Sequence, residues 1–202
     1  MSKKSNQQDR KMSKRELRRL ERERARRQQM LKIWGPIALV VIALVAFIII
    51  RANEPEVEGV VFSEAAPPNQ HDASVTYPTG GLPPMGGVHS PQWLNCGIYT
   101  EPVPAENAIH SMEHGAVWIT YHPDLPADQV ALLQDKVRGE SYLILSPYPD
   151  QSAPIALTVW DAQLTVESAT DERIDQFIAR YRGTRAPERG APCSGGVGAP
   201  LP

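Results

Sequence analysis

HSMEHGAVWITYHP, His110 to Pro123, holds the transition on which the fold turns. Its second half, AVWITY at 116–121, is rich in β-branched and aromatic residues and reads as a buried strand. The segment before it, AENAIHSMEH, predicts one or two helical turns, ended by Gly115. Downstream, the turn at 124–128 leads into a helix at about 126–138, with apolar residues at 130, 132, 133 and 137. SYLILSPYP predicts a second strand at about 141–146, and API-ALTVW a third at 155–160. A tight turn at Asp161-Ala162 leads into a fourth strand, QLTVES. Thr170 is placed to cap a last helix, TDERIDQFIARYRG, whose Ile174, Phe177, Ile178 and Tyr181 share one face. Gly183 stops it.

The order β-α-β-β-β-α predicts an α/β (α+β) domain, a small mixed sheet of about four strands with two helices. It is similar to the C-terminal half of the thioredoxin fold, including Pro154 ahead of a hairpin strand. No C-x-x-C is present, so thioredoxin redox chemistry is not available. A further short strand is expected at 59–62. Residues 71–104 carry a proline or glycine every few positions, which excludes helix. They also carry Tyr77, Met85, Trp93, Cys96 and Tyr99, which predicts a long ordered loop packed on the domain.

The N-terminal quarter differs in kind. Up to Lys32 there are thirteen basic and four acidic residues; from Asn53 onward there are seven and nineteen. Such asymmetry places the two parts in different surroundings. Between them, Ile33 to Ile50 is an uncharged apolar run with Trp34 near its start, spanning about 27 Å as a helix. No convincing small-residue cleavage site follows, so an uncleaved single transmembrane helix is expected. The basic excess then keeps the N-terminus cytoplasmic and puts the remainder outside. The expected organisation is a basic cytoplasmic tail at 1–32, a transmembrane helix at 33–50, a linker at 51–70, an extracytoplasmic domain at 71–190 and a Gly/Pro-rich tail at 191–202. The implied partners are the bilayer, through 33–50, and an anionic lipid surface for the tail. No aromatic residue interrupts the basic run, which argues against specific nucleic-acid binding. Protein partners are not indicated.

Both cysteines, Cys96 and Cys193, follow the anchor, on the oxidising side of such a membrane. A disulfide is the expectation, with two free thiols the alternative. The bridge would close a loop of about a hundred residues, worth roughly 4–5 kcal/mol in the chain-entropy model.

Candidate chemistry centres on His110 and His114, which share a helical face at i and i+4. His89 and Cys96 lie in the adjoining loop, and Met85 and Met112 are soft donors nearby in sequence. Cys96 is a ligand only if it is not bridged. His89, His110 and His114, with a methionine, suit copper or zinc. The same residues match H-x-x-E-H, the inverted zincin pattern, with Glu113 as base. Gly115 leaves that motif no long helix to stand on. Three functions therefore stay open: a copper- or zinc-binding module, a metal-dependent hydrolase using Glu113, and a structural or interaction domain whose histidines are only hydrogen-bonded. His122 reads as a turn residue.

Two blocks carry a resemblance. H-x-P-x-W-x-x-C-G-x-Y spans His89 to Tyr99, and H-S-x-E-H-G-x-V-W spans His110 to Trp118. With API-ALTVW and the terminal helix, they resemble the DUF3105 family over about residues 55–190. The resemblance implies an exported domain, often behind a short cytoplasmic segment and one anchor. It assigns His89, Trp93, Cys96, Tyr99, His110, Glu113, His114 and Trp118 to the family pattern. It implies no activity, and the basic leader lies outside it.

Overall fold

The computed structural model describes residues 14–52, 56–64 and 66–201. They fall into two compact units, divided between Pro55 and Glu56.

The first unit is one helix, α1 (Lys14–Ala52). Its Arg-, Glu-, Leu- and Gln-rich first half consists of good helix formers, and the apolar run continues it without a break. Pro36 lies inside and removes the N–H that would bond the carbonyl of Lys32. None of the residues Ile33 to Ile50 is buried. The helix is long and apolar enough to cross a bilayer, which is consistent with a single-pass anchor.

The second unit contains β1 (Val61–Phe62), β2 (Gly97–Ile98), α2 (Ala105–Glu113), β3 (Val117–Tyr121), α3 (Ala127–Val137), β4 (Leu143–Pro147), β5 (Ile155–Val159), β6 (Ala162–Val166) and α4 (Arg173–Tyr181). The strands form one mixed sheet in the order β1-β6-β5-β3-β4-β2. β3 and β4 are parallel, joined by α3, and β2 adds parallel to β4. β5 runs antiparallel to β3, then β6 to β5 and β1 to β6.

Alternation along the strands divides the interior into two apolar layers. Val117, Ile119, Leu143, Leu145, Ile155 and Leu157 face one side, packed with Leu133 and Val137 of α3 and Ile174 and Phe177 of α4. Trp118 and Ile144 face the other side, against Ala108, Ile109 and Met112 of α2. The sheet is therefore covered on both faces, which is why β3, β4 and β5 are near-continuous apolar runs. Thr158 and Gln163 are buried polar residues of the hairpin strands. The Gln163 amide donates to Thr158 Oγ1 and to the Pro83 carbonyl, tying the long loop to the sheet.

The mixed α/β class and the central elements are as expected, with differences at the margins. There are six strands: the four central ones, the short strand expected at 59–62, which forms at 61–62, and an unexpected two-residue strand at 97–98 that completes the other edge. The second unit has three helices rather than two. The segment at 105–113 forms a full α2, because its apolar face finds its own layer. The hairpin turn is Trp160-Asp161, one residue earlier than expected, and Ala162 already belongs to β6. Asp161 adopts the left-handed conformation there, at φ 62°, which Asp tolerates. It also binds three parts of the preceding segment: Ser63 N–H donates to its carbonyl, Ala66 N–H to its carboxylate, and its own N–H to the Met85 carbonyl. Thr170 does not cap the last helix. Asp171 accepts the Arg173 N–H and pairs with its guanidinium instead.

The start of the unit is fastened to α4. Glu56 accepts from the Tyr181 hydroxyl and lies 3.5 Å from the Arg180 guanidinium. The Tyr181 bond first, and Arg180 after it, hold the Glu56 carboxyl below its ordinary 4.5, while desolvation opposes them. A depressed carboxyl stabilises the fold above its unfolded value, and that contribution is lost as pH falls through its folded value. Glu56→Gln is therefore expected to lower the Tm at neutral pH, with the gap from wild type closing in acid below 4.5. Thermal melts across pH read this directly; a gap that is constant with pH contradicts the linkage. Phe177 is fully buried between α4 and the sheet. Urea unfolding of Phe177→Ala is expected to show a loss of about 3–5 kcal/mol.

Candidate metal centre

α2 is short, and each of its residues is committed. Ser111 Oγ accepts the Leu94 N–H and donates to the Leu94 carbonyl. Asn107 accepts that same N–H through its main-chain carbonyl, and its side chain donates to Ser90 Oγ and the Gln92 carbonyl. The loop at 90–94 is thus clipped along the helix. At the C-terminal end, Gly115 takes φ 109°, and a Cβ there would lie 2.9 Å from Gly183 Cα. Only glycine permits that approach, which lets the segment after α4 cross the end of α2.

His110, Glu113 and His114 lie on one face of this helix end, as spacings of three and four dictate. A second strip of chain reaches the same face. Asp72 N–H donates to the His89 carbonyl and His89 N–H to the Gln70 carbonyl, so His71 and His89 are held side by side by main-chain pairing.

The ring contacts are close. His71 stacks on His110 with centroids 4.8 Å apart and planes at 23°. His89 lies 5.0 Å and His114 4.6 Å from His110. Trp93 borders His110 and His114, and Trp160 borders His89.

The three buried rings are oriented by main-chain carbonyls. His89 Nδ1 is 2.7 Å from the Gly87 oxygen, His110 Nδ1 is 2.7 Å from that of Ser90, and His114 Nδ1 is 2.7 Å from that of Pro192. A carbonyl only accepts, so each Nδ1 carries the proton and each Nε2 is the remaining donor atom. His89 Nε2 lies 2.9 Å from Glu113 Oε2, and His71 Nε2 lies 3.6 Å from the same oxygen. Glu113 Oε1 accepts the Asn69 N–H at 2.7 Å. Glu113 and His89 are fully buried, while His71 reaches solvent.

Two overlapping donor sets result. One consists of His71, His89, His110 and Glu113; the other consists of His110, His114 and Glu188. In each, one donor atom per residue lies within 4.8 Å of all the others. Ligands around a zinc ion lie about 2.0–2.2 Å from it, so small inward shifts close either set. Burial, the largest influence, pulls the His110 pKa below 6.5, and the charges of His114, His89 and His71 add to the effect. Its carbonyl contact with Ser90 opposes this but is outweighed. His110 is neutral at pH 7, as a metal ligand must be.

Of the residues singled out in the sequence, His89, His110 and Glu113 meet in the first set. His114 meets His110 in the second. Cys96 is bonded to Cys193 with Cα atoms 5.4 Å apart, which removes it as a thiolate ligand. Met112 packs in the apolar layer with Trp118 and Ile144, on the side of α2 turned from His110. The Met85 carbonyl fastens the hairpin turn. Trp93 borders the cluster, with its indole N–H directed at the Ser194 carbonyl. Trp118 is a core residue that donates to Ser146 Oγ. Tyr99 donates to the Asn95 carbonyl, and burial pushes its phenol up to about 12. His122 accepts the Asp124 N–H beyond the far end of β3. Sequence reasoning missed His71 and Glu188. Neither lies within reach of α2 along the chain, and only non-local pairing delivers them.

The model of one family, described as protein of unknown function (DUF3105), matches residues 69–195. That span covers well over half of the chain, both histidine-bearing strips and the disulfide. No curated protein and no solved structure matches. The two donor sets and their carbonyl-fixed imidazoles are thus built from residues inside the matched region, and the chain belongs to the DUF3105 family.

Proposed function

We propose that this domain is a transition-metal-binding module, held at the outer face of a membrane by α1, whose primary ligands are His71, His89, His110 and Glu113. The observation that carries this is the fixing of Nδ1 in the buried imidazoles. A histidine that binds a metal commonly donates its second ring N–H to a carbonyl or carboxylate, which sets tautomer and direction. Here the rings are so oriented, and the atoms left over gather around a buried carboxylate. Oxygen acceptors face both nitrogens of His89. Either an imidazolium–carboxylate pair or a cation in place of the Nε2 proton satisfies that arrangement. Nitrogen and carboxylate donors without thiolate favour Cu(II) or Zn(II). Glu113, bonded to Asn69 N–H and facing two imidazoles, serves better as a ligand than as a free general base.

The membrane part of the proposal rests on the apolar helix and the basic residues before it. α1 is unbroken, so an upright helix carries its basic arm away from the bilayer at about 1.5 Å per residue. Arg26, Arg27 and Lys32 remain nearest the surface, where screening over about 8 Å still allows anionic lipid to attract them.

Full-length chain purified in detergent and dialysed against Cu(II) or Zn(II) is expected to retain about one ion, scored by elemental analysis. His110→Ala should lose it, and Glu113→Gln should weaken it by at least about tenfold. Retention should fall as pH drops below 6.5 and protons compete for His110. A wild-type chain that retains neither ion removes the proposal. Membrane orientation is read separately. A C-terminal reporter that folds only outside the cytoplasm should be active in cells, and an inactive one reverses the topology.

A further inference from the structure

The geometry points to a second ion position, formed by His110, His114 and Glu188, which shares His110 with the first and therefore exchanges a single ion with it. This rests on the metal-binding proposal and adds a hand-off step to it.

His110 Nδ1 is committed to the Ser90 carbonyl, so only Nε2 can bind an ion. His110 belongs to both donor sets, and with Nδ1 engaged each must use that same Nε2. One nitrogen lone pair serves one ion, so the two positions cannot be filled together through His110. His114 is fixed by the Pro192 carbonyl in the same way as its neighbours, and its Nε2 lies 3.5 Å from Glu188 Oε2. Glu188 does not hang free, since its N–H donates to the main-chain carbonyl of Glu113. The second set is therefore attached to the first through α2. Each set reaches solvent through one ligand, His71 in the first and Glu188 in the second, and the shared imidazole is buried. An ion arriving at Glu188 and His114 can pass to His89 and Glu113 without leaving His110. Four ligands against three make the first position the resting one.

The test is a double-mutant cycle on the full chain in detergent, with Zn(II) and Cu(II) each titrated against a competing chelator. It adds Glu188→Ala to wild type and to a His71→Ala/Glu113→Gln background; His71 and Glu188 are partly exposed, and Gln keeps the shape of the buried Glu113. In the wild-type background, Glu188→Ala is expected to change affinity by less than about threefold. In the His71→Ala/Glu113→Gln background the first position keeps only His89 and His110 against the three ligands of the second, and Glu188→Ala is expected to cost more than about tenfold. Stoichiometry stays at one ion throughout. Melting temperatures near wild type confirm that each variant is folded. Glu188→Ala without effect in either background overturns the second position. An equal loss in both backgrounds makes Glu188 a constant ligand of one larger site, which also overturns it. Two ions per wild-type chain overturn the sharing. No ion in wild type removes the metal-binding proposal itself, a result distinct from the other three.

Discussion

Glu113 is a carboxylate with no exposure to solvent, placed as the last residue of a helix. Both circumstances oppose its charge. Burial removes water, and the C-terminal end of a helix presents the negative pole of its dipole. An ionised group survives there only with hydrogen bonds and positive charge close by. Asn69 N–H supplies the first, and among the described residues its charged partners are His71 and His89, with neither lysine nor arginine. The site is thus organised around a buried carboxyl group whose ionisable side-chain partners, among the described residues, are imidazoles alone. Imidazoles balance it either by holding a proton or by holding a cation, and the orientation of the rings suits the second as well as the first.

The disulfide and the C-terminal segment follow from the same constraint. Cys193 is bonded to Cys96, and Cys96 N–H donates to the Cys193 carbonyl. Beyond the bridge, Asn95 and Trp93 pair with residues 196–198, and Gly196 lies so close to Trp93 that a Cβ would collide with its carbonyl. This clamp keeps the segment before it in place, and that segment brings Pro192 and Glu188 to His114. A tail of small residues and prolines has little apolar surface with which to dock. Covalent closure and main-chain bonds do that work here, consistent with an oxidising surrounding.

How far these features are visible along the chain depends on how local their causes are. AVWITY is a strand in sequence and in structure because its β-branched and aromatic composition leaves no competitive alternative. The α3 and α4 segments are likewise fixed by apolar residues at helical spacing. Of the two-residue edge strands, 61–62 falls within the short strand expected at 59–62, whereas 97–98 lies in a Gly/Pro-rich stretch without a strand signal and pairs along the edge that β4 offers. The turn at Trp160-Asp161 was displaced by one residue because the side chain suited to a left-handed bend, Asp161, is its second residue rather than its first. For the site, the i and i+4 spacing of His110 and His114 is a local signal, and Glu113 joins them at i+3 on the same face of α2. The same periodicity puts Met112 on the opposite side, a signal present in the sequence and not used. His71 depends on main-chain pairing across eighteen positions, and Glu188 on a tail clamped by the disulfide. Neither is a property of any local window.

The donor chemistry narrows what the cluster suits. With Cys96 bridged and Met112 in the apolar layer, neither of these soft sulfur donors, of the kind that select Cu(I), joins the gathered atoms. What remains is imidazole nitrogen and carboxylate oxygen, the set that suits divalent ions of the later first row. Within that row affinity rises towards Cu(II) and falls back at Zn(II), so raw affinity ranks Cu(II) first wherever both are free. The first set offers four ligand atoms, the number a tetrahedral zinc site takes, from stretches of chain tied together by main-chain bonds. The second set has three ligands, so an ion held there as proposed would keep a coordination position for solvent or for a ligand brought by another molecule. A four-ligand set and a three-ligand set that share one imidazole would differ in use under the proposed reading. The fuller set would retain an ion, and the other would let it in or out.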